Sequence, residues 1–291
     1  MNDKFCNLGQ GKKLCYRVFG AEHSETLIMI VGLGLQLTYW PQELIERLVN
    51  QKLKVIIFDN RDSGRSFFTD TKPPSIISQI LRLPTKGYNL HDMAEDVIAL
   101  MDELNIKSAH MLGMSMGGMI AQTLAAKHAG RVKSLISIFS TTGSLIVGQP
   151  NIRTIAQLIS PAPQKIEKAV EKYVRMMSLI GSSLEKNQYR HKKYAEAAWV
   201  RGGGIQNNAG MARQIGAIIN AGNRQNELKN ISCRTLVIHG DYDLMVASSG
   251  GYATAKQIND ARLVILPGMG HDIPIVLIST IASLIYGHIM H

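Results

Sequence analysis

The chain has little that would tie it to a membrane, a metal or an oxidising compartment. The most apolar stretch, "IPIVLISTIASLIYG" near the end, is too short to span a bilayer. The opening "MNDKFCNLGQGKK" has no apolar run before a small-residue cleavage site, so no signal peptide is expected. Cysteine is scarce. Cys6, Cys15 and Cys233 are an odd number in 291 residues, which implies no disulfide framework and points to a reducing compartment. No Cys/His cluster has ligand spacing, so no metal is expected. The glycine-rich "VGLGLQ" lacks the G-x-G-x-x-G order, which argues against a dinucleotide cofactor. Internal repeats and low-complexity segments are absent. The expectation is a cytoplasmic, cofactor-free monomer or homodimer with no membrane partner.

The net charge is +10, a balance compatible with nucleic acid, anionic lipid or an acidic substrate. It is spread along the chain. The one dense cluster, "KNQYRHKK" from Lys186 to Lys193, has a single aromatic residue and no nucleic-acid signature. It reads as a solvated helix face, and no nucleic-acid partner is expected.

What the chain does have is alternation of two periods. "TLIMIV" (Thr26–Val31) and "KVIIFD" (Lys54–Asp59) are continuous apolar runs, as in strands covered on both faces. "KLCYRVFG", "SAHMLG", "VKSLISIFS", "TLVIHG" and "ARLVILPG" also read as strands. Between them, Leu90, Met93, Ala94, Val97, Met101 and Leu104 follow helical spacing behind a capping Asn89. Trp40, Leu44, Ile45 and Leu48 share another helical face. A last helix is expected to start near Pro274 and stop by Gly287. Strands alternating with helices argue an α/β fold with a mostly parallel sheet. From about Gly143 to Asn230 only amphipathic helices are evident. The expected organisation is a core of residues 1–142 and 231–291, with a helical cap at 143–230 over the sheet's ligand-binding edge.

"GMSMG", Gly113 to Gly117, puts a serine between a strand and a small-residue helix. G-x-S-x-G is weak alone, but this context suits a nucleophile on a sharp turn where flanking side chains would collide. A serine hydroxyl needs a base to take its proton. His271 in "PGMGHDIP" and an acid in "GDYDLMV" both follow strand ends. Asp243, farther along its loop, is the expected acid. Asp241 is expected to brace the turn through its own backbone. Asp272 is not expected to reach its neighbour's ring. An oxyanion would take the Met116 N–H and a second N–H from Leu33, with Gly34 next in line. Gly34, Trp40, Met114 and Trp199 are the expected substrate contacts. Met111 and Met119 read as core or as part of a pliable pocket.

These segments together resemble the α/β-hydrolase family over nearly the whole chain. "VGLG", "DNRDSGRS", "GMSMGGMIAQ", "HGDYDLMV" and "GMGHDIP" stand in the family's order. In finer detail the chain is similar to the bacterial branch that includes aclacinomycin methylesterase, and to macrolide-opening esterases in size and layout. The resemblance implies a Ser115–Asp243–His271 triad, Leu33 and Met116 as oxyanion donors, and a helical cap. Val31 stands where many relatives carry histidine, and Asp62 where many carry glycine. Asp59 and Arg61 are expected to be structural. The expected activity is serine-dependent hydrolysis of a small-molecule ester or lactone, a polyketide methyl ester or a macrolide ring ester among them. Acyl transfer and carbon–carbon bond hydrolysis use the same triad. A non-catalytic ligand-binding protein on the same fold is the reading from another class.

Overall fold

A computed structural model describes residues 2–291. Its sheet has eight strands: β1 (Lys4–Asn7), β2 (Lys13–Phe19), β3 (Glu25–Ile30), β4 (Leu53–Phe58), β5 (Ala109–Met114), β6 (Val132–Ile138), β7 (Arg234–Gly240) and β8 (Arg262–Leu266). Their order is β1-β2-β4-β3-β5-β6-β7-β8. β2 runs antiparallel to both β1 and β4, and every other pairing is parallel. The C-terminal ends of β3, β5, β6, β7 and β8 therefore share one edge, where loops from distant parts of the chain converge. β1 has no counterpart in the sequence expectations. Only Cys6 of its four residues is buried, so no alternation announces it.

The helices are α1 (Gln42–Asn50), α2 (Ile76–Ile80), α3 (Leu90–Glu103), α4 (Met116–Lys127), α5 (Ile152–Leu158), α6 (Ile166–Ile180), α7 (Gln188–Arg201), α8 (Gln206–Ala221), α9 (Gln225–Leu228), α10 (Ser249–Gln257) and α11 (Ile278–Met290). α3 starts where the Asn89 side chain accepts from His91 and Asp92 N–H while Asp92 bonds back to the Asn89 N–H. Its Met93, Val97, Leu100 and Met101 pack with Ile120 and Leu124 of α4 on one face of the sheet. Leu44, Ile45 and Leu48 of α1 pack with Ile281 and Ile285 of α11 on the other. α11 does not stop at Gly287 but runs through it to Met290. Gly287 does not take the positive φ of a helix-ending glycine, so the helix continues through it. Between β6 and β7 the chain forms only helices, α5 to α9.

Two glycines make the strand-to-helix corner fit. A Cβ at Gly113 would overlap the Gly117 carbonyl, and one at Gly117 would overlap the carbonyls of Ile30 and Val31. These neighbours are backbone in the central sheet and cannot move aside. Gly117→Ala is expected to cost about 3 kcal/mol or more, an overpacking effect, read as a lower urea midpoint or loss of folded protein.

Candidate active site

β5 delivers Ser115 to the sheet edge and α4 begins at the next residue. The turn is tight enough to force Ser115 to φ 54° and ψ −121°, a region that side chains other than glycine avoid. The strain is held by three bonds. Ser115 N–H donates to the Ile138 carbonyl at 2.9 Å, and the Ser115 carbonyl accepts from Ser140 Oγ at 2.8 Å and Met119 N–H at 3.1 Å. Backbone strain of this kind persists only where surrounding structure fixes it.

The Ser115 hydroxyl lies 2.9 Å from His271 Nε2. The other ring nitrogen of His271, Nδ1, lies 2.7 Å from Asp243 Oδ2. Asp243 is buried, and its Oδ1 accepts the N–H groups of Met245 and Val246 at 2.8 and 2.9 Å. Burial alone would raise its carboxyl. The charge of His271 and the contacts with His239 and His271 outweigh that and hold it at about 2. Asp241 does not brace its own turn. Its Oδ1 accepts the Gly268 N–H at 2.7 Å and so ties the acid loop to the loop carrying His271.

The loop after β3 faces this constellation, with a Cβ at Gly32 falling 3.3 Å from the Ser115 Cβ. Met116 opens α4, where a backbone N–H has no acceptor within its own helix. The Gly34 N–H is already donated to Gln214 Oε1 of α8 at 2.8 Å, while among the described residues the Leu33 N–H has no such bond. The loop is fixed without a histidine at Val31. Asn60 Nδ2 donates to the Val31 carbonyl, Ser63 Oγ to the Leu35 carbonyl, and the Leu37 N–H to Asp59 Oδ1. Asp59 also pairs with Arg201 at 2.7 Å, and Arg61 with Asp96 at 2.6 Å. Asp62 adopts φ 63°, which accounts for glycine as an alternative there. Its buried carboxylate receives Arg213 of α8.

Three of the expected substrate contacts pack against other parts of the chain. Trp40 is 3 % exposed and packs with Leu37, Leu44 and Ile45, because it precedes α1 and faces the sheet. Met114 is 1 % exposed, because as the last residue of β5 it points into the layer of Met29, Leu112 and Ile138. Gly34 faces Met211 of α8, whose Sδ would lie 3.2 Å from a Cβ there, and its N–H is occupied. Trp199 packs over the turn at Gly204 at the end of α7. Met111, Met116 and Met119 are all buried. Cavities of about 960 and 580 Å³ adjoin α6 and α7, the second lined partly by Trp40, and neither is lined by Ser115 or His271.

Several groups at the site have no signature in the sequence. Asp272 turns away from the His271 ring and accepts Ser182 N–H and Oγ at 2.8 and 2.5 Å, and Ser182 Oγ accepts the Gly270 N–H. The His271 N–H donates to the Ile180 carbonyl at 2.7 Å. The end of α6 thus clamps the His271 loop from both sides. The Phe139 ring lies 4.6 Å from the His271 ring, centroid to centroid. His239 Nε2 bonds the Val246 carbonyl at 2.8 Å and holds the acid loop closed. Among the described residues no group of three or more His, Cys, Asp or Glu could hold a metal ion, and no helix is long and apolar enough to cross a membrane.

A serine at a strand–turn–helix elbow, with a histidine and a carboxylate following later strands, defines a class of hydrolases. The chain belongs to the alpha/beta hydrolase fold family, whose sequence pattern matches residues 25–276, and it is a hydrolase of that family. It is 26% identical over 282 residues to rhodomycin D methylesterase DnrP of Streptomyces peucetius, covering 90% of each chain. It is 28% identical over 127 residues to a putative carbamate hydrolase, RutD, of Caulobacter segnis, covering 43% of this chain and 42% of that one. Its fold superposes on the enol-lactonase of Burkholderia xenovorans LB400 with a TM-score of 0.76 at 22% identity, covering 99% of this chain and 100% of that chain.

Proposed function

We propose that the chain is a carboxylic ester hydrolase that works through an acyl-enzyme on Ser115. The reading rests on one observation, the continuous chain of contacts from Ser115 Oγ through His271 to the buried Asp243 carboxylate. His271 takes the hydroxyl proton as Ser115 attacks the ester carbonyl, and the imidazolium that forms is stabilised by Asp243. The Leu33 and Met116 N–H groups receive the oxyanion. His271 then protonates the leaving alcohol, and a water attacks the acyl-enzyme with His271 again as base. The hydrolysed ester yields one carboxylic acid and one alcohol, or a hydroxy acid from a lactone.

Likeness to a methylesterase supports a small-molecule methyl ester as substrate, with a lactone the nearest relative in chemistry. Residues 143–230 act in this reading as a cap, since Gln214 and Arg213 of α8 bind the loops that bear the site. The scarce, unpaired cysteines support a cytoplasmic setting. The test is labelling with a fluorophosphonate alongside turnover of p-nitrophenyl acetate and butyrate. Labelling at Ser115 with turnover is expected. A folded protein that neither labels nor turns over any ester would overturn the reading in favour of ligand binding without catalysis. Ester product formed in excess alcohol would assign the chain to acyl transfer instead.

Asp272 is a positioning residue in this scheme. Asp272→Ala is expected to lower kcat about 10- to 100-fold, as a misplaced base does, with little change in KM. Asp272→Asn keeps the oxygen that Ser182 bonds and is expected to retain most of the rate. Equal loss in both variants would rule out positioning through that oxygen.

A further inference from the structure

Exposed apolar side chains are not scattered evenly over the molecule. Nine of the nineteen large ones fall in two segments, 71–88 and 143–160. The first includes Ile76, Ile77, Ile80 and Leu81 around α2. The second includes Leu145 and Ile146, the latter 87% exposed. Both segments lie on the sheet edge that carries Ser115, since one follows β4 and the other follows β6. They meet in space. Arg82 Nη1 donates to Gln149 Oε1 at 3.3 Å. Both also rest on the end of α8: Thr85 N–H donates to Asn220 Oδ1 at 2.8 Å, and a Cβ at Gly143 would overlap the Gly222 carbonyl. A single soluble chain rarely exposes contiguous apolar surface of this kind without a partner for it.

The charge carried by these two segments is of one sign. Segments 71–88 and 143–160 carry Lys72, Arg82, Lys86 and Arg153 and contain no Asp or Glu, the nearest acid in sequence being Asp70. Elsewhere several basic side chains pair with acids, as Lys168 does with Glu171 and Arg47 with Glu43. An apolar patch rimmed by unopposed cations is complementary to an anionic lipid surface, where apolar side chains enter the acyl boundary and cations meet the headgroups. It is poorly complementary to itself. In a two-fold pairing of this face with a second copy, the same cations would oppose one another across an apolar contact. We infer that this face docks the enzyme peripherally on anionic membranes and turns the edge bearing Ser115 toward the bilayer. This departs from the sequence-based expectation of no membrane partner, which rested on diffuse charge and the lack of a spanning segment; peripheral docking needs no such segment.

The experiment is co-sedimentation with phosphatidylcholine vesicles with or without phosphatidylglycerol, at low and at 0.5 M salt. Pelleting is expected with phosphatidylglycerol, with sharp reduction in high salt. Each cation near the surface contributes on the order of fivefold in partitioning, so Arg82→Gln with Lys86→Gln is expected to weaken binding roughly 25-fold. Ile77→Glu with Ile146→Glu is expected to abolish it. Thermal midpoints by circular dichroism, unchanged in both double variants, establish that the fold survives. Neither readout depends on esterase activity. Equal pelleting on neutral and anionic vesicles, or full binding by either double variant, would overturn the proposal. So would a dimer of the native chain that Ile77→Glu with Ile146→Glu converts to monomer, since the face would then be a contact between copies.

Discussion

Replacing Ser115 with alanine is expected to lower kcat for p-nitrophenyl butyrate by about 10⁵- to 10⁶-fold and to remove fluorophosphonate labelling. The size follows from the arrangement. Ser115 is the only hydroxyl held against His271 Nε2 among the described residues, at 2.9 Å, and its strained backbone leaves no neighbour able to take its place. His271→Ala is expected to cost nearly as much, and the double variant little more than either, because the two groups act as one unit. A single-turnover comparison of the three variants checks this. Additive losses would mean that serine and histidine serve separate steps. The thermal midpoint of Ser115→Ala should not fall, since alanine removes only the hydroxyl.

The second large effect is expected at Asp243. Its Oδ1 is already committed to the N–H groups of Met245 and Val246. In Asp243→Asn those two donors would keep the amide oxygen, so the amide NH₂ would face His271 Nδ1. Nδ1 would then have to accept, and Nε2 would carry the proton and could not take one from Ser115. A fall in kcat of about 10⁴-fold is expected with the geometry intact. The same substitution has a pH signature in stability. The Asp243 carboxyl is depressed from the ordinary 3.8 to about 2 in the folded chain. Its contribution is therefore complete above about pH 4 and is lost as pH falls toward 2. Urea unfolding at pH 2 to 6 should show a steeper acid decline for the native chain than for Asp243→Asn. Identical slopes would mean that the carboxylate is not held by its histidine neighbours.

The elbow was legible because its constraints are local. Gly113, Ser115 and Gly117 sit within five residues, and the collision that excludes a side chain at Gly113 arises within the turn itself, while Gly117 is closed in by the carbonyls of Ile30 and Val31 from the neighbouring strand β3 and its loop. His271 and Asp243 were legible for a related reason, as polar residues just past apolar runs that could only be buried strands. The choice between Asp241 and Asp243 rested on loop position, and the observed bonds give the two different partners. Trp40 and Met114 are buried in the core, and proximity in sequence to a functional loop does not say which way a side chain faces; for Met114, at the end of β5, the strand's register decides it. One residue of register reverses the direction.

What the sequence by itself determined is most of the buried strands and long helices, their alternation, and the chemical groups carried at the ends of particular strands. Hydrophobic period and turn sterics act over a few residues, so they can be read without knowing the fold. What only the tertiary structure decided is how separate segments close on one another. Gln214 claims the Gly34 N–H across 180 residues and thereby leaves Leu33 as the free donor. Ser182 pins Asp272 across 90 residues. Two basic, apolar segments with β5 and α4 between them in the chain come together at one edge of the sheet. Such contacts depend on where whole strands and helices lie relative to one another. No short-range pattern encodes that, because the partners become neighbours only after the sheet has formed.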